Sequence, residues 1–84
     1  FVDIFIEQRN GRKSWTKIHG LTNYNVELKP HLKNIKKKLC CNGSLKEEDG
    51  KQIIILQGDH RKTYKQFLIN NNSIRENFIN VHGF

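Results

Sequence analysis

The sequence predicts a two-layer α+β sandwich with the element order ββαββαβ. Five stretches carry strand patterning, two carry helical spacing, and Asn10-Gly11 and Asp49-Gly50 mark tight turns between strands. Two helices must bury their apolar stripes against something, and a sheet offers a face for both. The patterns fix neither the order of strands in the sheet nor which pairs are parallel.

Val2, Ile4 and Ile6 alternate with Asp3, Phe5 and Glu7, the period of a strand with one buried face. Asn10-Gly11 follows, suited to a turn with positive φ at both central positions. A second strand then runs from about Lys13 to His19, with Trp15 and Lys17 on one side and Ser14, Thr16 and Ile18 on the other. Gly20 to Asn25 reads as a loop. Leu28, Leu32, Ile35 and Leu39 recur at helical spacing, with Pro30 tolerated in the first turn and Asn42-Gly43 as the expected stop. Ser44 to Glu48 is a short exposed strand ending at the Asp49-Gly50 turn. The run Ile53-Ile54-Ile55-Leu56, within Gln52 to Gln57, is typical of a strand covered on both faces or lying mid-sheet. Gly58 breaks it and Asp59 can cap the next helix, where Tyr64, Phe67 and Leu68 share a face and Asn70-Asn71-Asn72 ends the pattern. Phe78 to Phe84 is a last strand, with Ile79 and Val81 inward. With no repeat or linker, residues 1–84 are expected to form a single domain.

At 36% hydrophobic and 27% charged residues the chain is globular with a modest core. No apolar run approaches ~18 residues, and charges interrupt every early apolar stretch, so neither a membrane helix nor a signal peptide is expected. Nine basic residues and one acid, Glu27, lie between Arg9 and Lys38, whereas the remainder is close to neutral. Solubility alone gives no reason for such segregation, and the cluster lacks the apolar face that would insert into lipid. A charge excess confined to one segment is a polyanion footprint, usually for nucleic acid on a small domain. Lys29, Lys33, Lys36 and Lys37 fall on one helix flank within roughly 100° of one another. Lys36, Lys37 and Lys38 also complement the helix dipole, a purely structural role for the triplet.

Adjacent Cys40 and Cys41 would form a strained disulfide, and the C-x2-C and H-x3-H spacings of a zinc site are absent even with His19 and His31 considered. Buried thiols in a reducing cytosol are the expectation. His60 with Asp59 and Lys62, or His82, could serve as acid–base groups, but no nucleophile elbow, phosphate loop, HExxH motif or paired acidic metal site accompanies them. The chain is therefore expected to be neither an enzyme nor a cofactor or metal protein. No aromatic RNA-recognition signature occurs either. Trp15 and Phe5 could stack on bases, a core position being the alternative, so recognition should rest mainly on phosphates and on the shape of a folded RNA.

Four segments together resemble the eukaryotic translation initiation factor 1 family: Gln8-Arg9-Asn10-Gly11-Arg12-Lys13, Ile35 to Gly43, Leu56 to Lys62, and Val81-His82-Gly83-Phe84. The resemblance covers essentially the whole chain, in order and at the family's spacing. It implies a five-stranded mixed sheet with two helices on one face. It also implies a cytoplasmic, monomeric factor that binds the small ribosomal subunit near the peptidyl site, promotes scanning and opposes premature accommodation of initiator tRNA. By the same resemblance, Arg9, Asn10, Gly11, Arg12 and Lys13 form a basic loop approaching ribosomal RNA and the codon–anticodon region. Lys33, Lys36, Lys37 and Lys38 dock a helix on ribosomal RNA, and Asp59, His60 and Arg61 face initiator tRNA. Other initiation factors are implied as partners. The family usually carries an N-terminal tail ahead of the first strand, and His60 and Cys40 depart from its common residues. Two alternatives share these features: a related domain of a reinitiation or ribosome-recycling factor, and a basic adaptor that binds acidic proteins.

Overall fold

A computed structural model describes the chain except Arg9, Asn10, Arg12, Asn25, Phe84 and the side chain of Asn23. Five strands form one mixed sheet: β1 (Val2–Gln8), β2 (Ser14–His19), β3 (Gly43–Glu48), β4 (Lys51–Gln57) and β5 (Ile79–Val81). Helices α1 (Leu28–Leu39) and α2 (Arg61–Asn71) separate them in the order ββαββαβ. Across the sheet the strands run β3-β4-β2-β1-β5, antiparallel except for the parallel β1–β5 pair at one edge.

Strand alternation divides the sheet into two faces. Val2 and Ile4 of β1, Ile18 of β2, Ile54 and Leu56 of β4 and Ile79 of β5 point into the core, where they meet Leu28 and Ile35 of α1 and Tyr64 and Leu68 of α2. The opposite face carries Phe5, Glu7, Trp15, Lys17 and Ile55, in the register Glu7↔Trp15↔Gln57 and Phe5↔Lys17↔Ile55. Lys17 binds Glu7 at 2.9 Å and Glu48 at 3.7 Å, tying three strands together on that face. The apolar run of β4 is explained by its place between β3 and β2: Ile53, Ile54 and Leu56 are all buried.

Three expectations need correction. The buried stripe of α1 is Leu28, His31 and Ile35, with Leu32 and Leu39 only partly buried at its margin. His31 takes the central place because Tyr64 Oη lies 2.6 Å from its Nε2, satisfying a polar group that burial would otherwise penalise. The helix stops at Cys40, before Asn42-Gly43: Cys40 adopts the left-handed conformation and the Cys41 N–H closes on the Lys36 carbonyl at 3.1 Å. That geometry turns the Cys40 side chain outward, so one of the two thiols expected to be buried is exposed, while Cys41 is half-buried and both are free. Finally, β5 begins at Ile79, because Phe78 belongs to a short 3-10 turn (Glu76–Phe78), and Val81 is 42% exposed. Val81 lies beside the first turn of α2 and lines an open cleft with Arg61, Lys62 and Thr63, leaving it uncovered.

Candidate nucleic-acid interface

The topology gathers the four sequence segments on one rim. β1 ends there and β2 starts there; β4, antiparallel to β2, ends there, with Gly58 N donating to Ser14 O at 2.8 Å. Gly43 opens β3 opposite Leu56, and Gln57 N donates to Asn42 O at 2.8 Å, which brings the C-terminal end of α1 to the same place. β5, parallel to β1, runs toward this rim; the His82 N–H donates to Ile4 O at 2.8 Å midway along β1, and the His82 carbonyl is joined to the 58–61 loop by Arg61. Lys36, Cys40, Cys41, Asn42, Gln57 and His60 line one shallow cleft where these segments meet.

Of the predicted loop residues, Gly11 and Lys13 are described, and both are exposed. Gly11 has φ +60° and its carbonyl accepts a hydrogen bond from Gln8 Nε2. Arg9, Asn10 and Arg12 lie outside the described residues. On α1, Lys29, Lys33, Lys37 and Lys38 are exposed and Lys36 is half-buried. Among the described residues none of these lysines, nor Lys13, has an ion-pair partner. Lys29, Lys33 and Lys37 stand four residues apart, a like-charge stripe that costs a few tenths of a kcal/mol per pair in isolation. Lys33 joins the rim cluster one turn below Lys36 and Lys37, and Lys29 lies at the far end of the helix.

The second loop is held from beneath. Fully buried Thr16 donates through Oγ1 to Gly58 O at 2.6 Å and accepts from His60 N at 3.0 Å. His60 Nε2 lies 2.8 Å from Gln57 O, folding the ring back over Gly58. Gly58 has φ +95°, and a Cβ there would sit 3.0 Å from the His60 ring, so this bend requires glycine. The geometric N-cap of α2 is His60, but Asp59 supplies the capping oxygen, accepting from Arg61 N at 3.3 Å. Asp59 also takes Arg61 in a fork, Nε–Oδ1 at 2.9 Å and Nη2–Oδ2 at 2.8 Å, which holds its carboxyl below the usual carboxylate range. Arg61 Nη1 reaches on to His82 O at 3.0 Å. The loop therefore presents a locally neutralised Asp59–Arg61 pair, in contrast to the bare lysines of α1.

Sequence reasoning missed Thr16 and the His82 carbonyl. A polar residue on the inward side of a strand was the available signal for Thr16; nothing local pointed to His82 O. Among the described residues no group of three or more His, Cys, Asp or Glu is placed to hold a metal ion.

Known proteins resemble this chain in both sequence and fold. Residues 1–75 match the family model described as Translation initiation factor SUI1. The protein translation factor SUI1 homolog of Oryza sativa subsp. indica is 40% identical over 85 residues, covering 100% of this chain and 73% of the relative. SUI1 homolog 1 of Arabidopsis thaliana is 41% identical over 85 residues, covering 100% and 74%. The crystal structure of the C-terminal domain of human eIF2D superposes with a TM-score of 0.84 at 16% identity, over 93% of this chain and 40% of that one, which shows a shared fold. Fold and relatives define a translation factor, a class that works by binding and not by catalysis. The chain belongs to the translation initiation factor SUI1 family.

Proposed function

We propose that the chain acts in the cytoplasm on the small ribosomal subunit near the peptidyl site, where it favours scanning and opposes early accommodation of initiator tRNA at poor start codons. The observation that carries this reading is the convergence on one rim of the loop after β1, the lysine-rich end of α1 and the 58–61 loop. Unpaired lysines on one side of that rim suit ribosomal RNA phosphates, which repay the mutual repulsion of the stripe. The Asp59–Arg61 pair with His60 suits a place beside tRNA, because the pairing leaves this loop without the net positive charge that would hold phosphate, unlike the lysines of α1. Release then follows when start-codon pairing draws the tRNA into that space.

Co-sedimentation with factor-stripped small subunits tests the docking. With about five to seven cations engaged, log affinity should fall against log salt with a slope of magnitude about 4–6 at fixed magnesium. A nearly flat dependence, or no binding to stripped subunits, would overturn the reading and favour an adaptor that recognises acidic proteins.

A further inference from the structure

The sequence holds a single tryptophan, Trp15, and the phosphate contacts above make no use of it. It stands on the outer sheet face, half-buried, and walls two clefts. The smaller cleft, about 200 Å³, is lined by Glu7, Lys17, Ser44 and Ile55 as well as Trp15. The cleft on the rim side, about 350 Å³, is lined by Lys13, Ser14, Gln57 and Gly58 as well as Trp15, and is roomy enough for a nucleobase.

Each lining group has a use for an unpaired nucleotide. An indole face stacks on any base. Gln57, the register partner of Trp15 on β4, is exposed and carries a donor and an acceptor side by side, the pattern of a base edge. Lys13 has no ion pair among the described residues and can reach a flanking phosphate. Gly58, half-buried at the end of β4, completes the lining. The bond to Ser14 O and the Thr16 hydrogen bonds fix that wall in advance. The nearby carboxylate of Glu7 is engaged by Lys17 at 2.9 Å, which lessens its repulsion of a polyanion.

We propose that Trp15 stacks on an unpaired RNA base, with Gln57 at the base edge and Lys13 on the adjoining phosphate. This rests on the RNA-docking reading and adds one base-contacting subsite to an otherwise phosphate-based surface.

Because Trp15 is the sole tryptophan, its fluorescence reports the site directly. The full chain is titrated with a short oligouridylate and with an abasic oligoribonucleotide of equal length and charge, affinity being followed in parallel by anisotropy of labelled RNA. Oligouridylate should quench the emission and the abasic chain should not. Trp15→Leu should weaken oligouridylate binding roughly tenfold and leave abasic binding unchanged, while Trp15→Phe should stay within about threefold of the parent. Circular dichroism melts identify variants that fail to fold; if Trp15→Leu is one, the two oligonucleotides on the unaltered chain decide. Equal affinity for both oligonucleotides with no quenching overturns the stacking, and if subunit binding persists then the docking reading survives alone. Loss of all RNA and subunit binding in the unaltered chain overturns both.

Discussion

Thr16 and His31 show how single buried polar residues set this structure. Through its side chain, Thr16 of β2 holds both Gly58 O and His60 N. Thr16→Val keeps the shape but orphans these groups, so urea unfolding should show a loss of about 1–3 kcal/mol, with Thr16→Ser close to the parent. His31 is buried between the helices, 2.6 Å from Tyr64 Oη and edge-on to the Tyr64 and Phe67 rings. Desolvation lowers its pKa from the ordinary 6.5, as burial drives the Tyr64 phenol far above its own usual value. As pH falls, the unfolded chain therefore takes up this proton first. Stability should be full above about pH 6.5 and decline below it until the folded imidazole titrates, at no more than about 1.4 kcal/mol per pH unit. Asp3 and Asp59, both lowered from 3.8, lose their contributions only in more acid solution. His31→Gln can keep a hydrogen bond to Tyr64 without titrating and should flatten the profile just below about pH 6.5; an unchanged slope would place the proton elsewhere. Neither residue's role was legible in the sequence. Hydrophobic spacing selected Leu32 over His31, because the partner that makes His31 burial favourable lies 33 positions away on α2.

At the scale of elements, α1 carries its buried stripe and its exposed lysines on different faces. Ile35 is fully buried against the sheet, so Ile35→Ala should cost roughly 2–4 kcal/mol through the cavity left behind. Lys36→Ala should change stability by less than about 0.5 kcal/mol yet weaken subunit binding. If both unfold the domain alike, the lysine flank is structural. Element identity was largely legible because periodicity is a local property: the helical spacing of α1, the β1 alternation and the apolar run of β4 all fall in elements of the expected type, although the buried stripe of α1 is centred on His31 and not on Leu32. Element ends were less so, since they depend on conformations that composition conceals. Cys40 and Ser73 adopt left-handed φ near two helix ends without being glycine. Val81 follows strand alternation but remains exposed, because cover by α2 begins only where Arg61 is anchored by Asp59 and the His82 carbonyl.

The whole molecule supplies what no segment holds. Turn residues can pair β1 with β2 and β3 with β4, but the β2–β4 and β1–β5 pairings join strands distant in sequence. Those two pairings bring the lysine-rich end of α1, the 58–61 loop and the His82 segment onto the rim that carries the loop after β1. Candidate residues were therefore readable one motif at a time, whereas their adjacency was not. The rim's role is tested most directly by reversing Arg12 and Lys13 to Glu together and reading two reporters, one starting at AUG and one at a near-cognate codon, beside subunit affinity. The double reversal leaves Asn10-Gly11 unaltered, so it should leave folding intact, lower affinity for the small subunit, and raise near-cognate initiation as the factor leaves scanning complexes early. Excess protein should partly restore fidelity by refilling the weakened site. Weaker binding with unchanged codon choice would break the link between docking and start-site selection, and no change in either would contradict the rim as the functional surface.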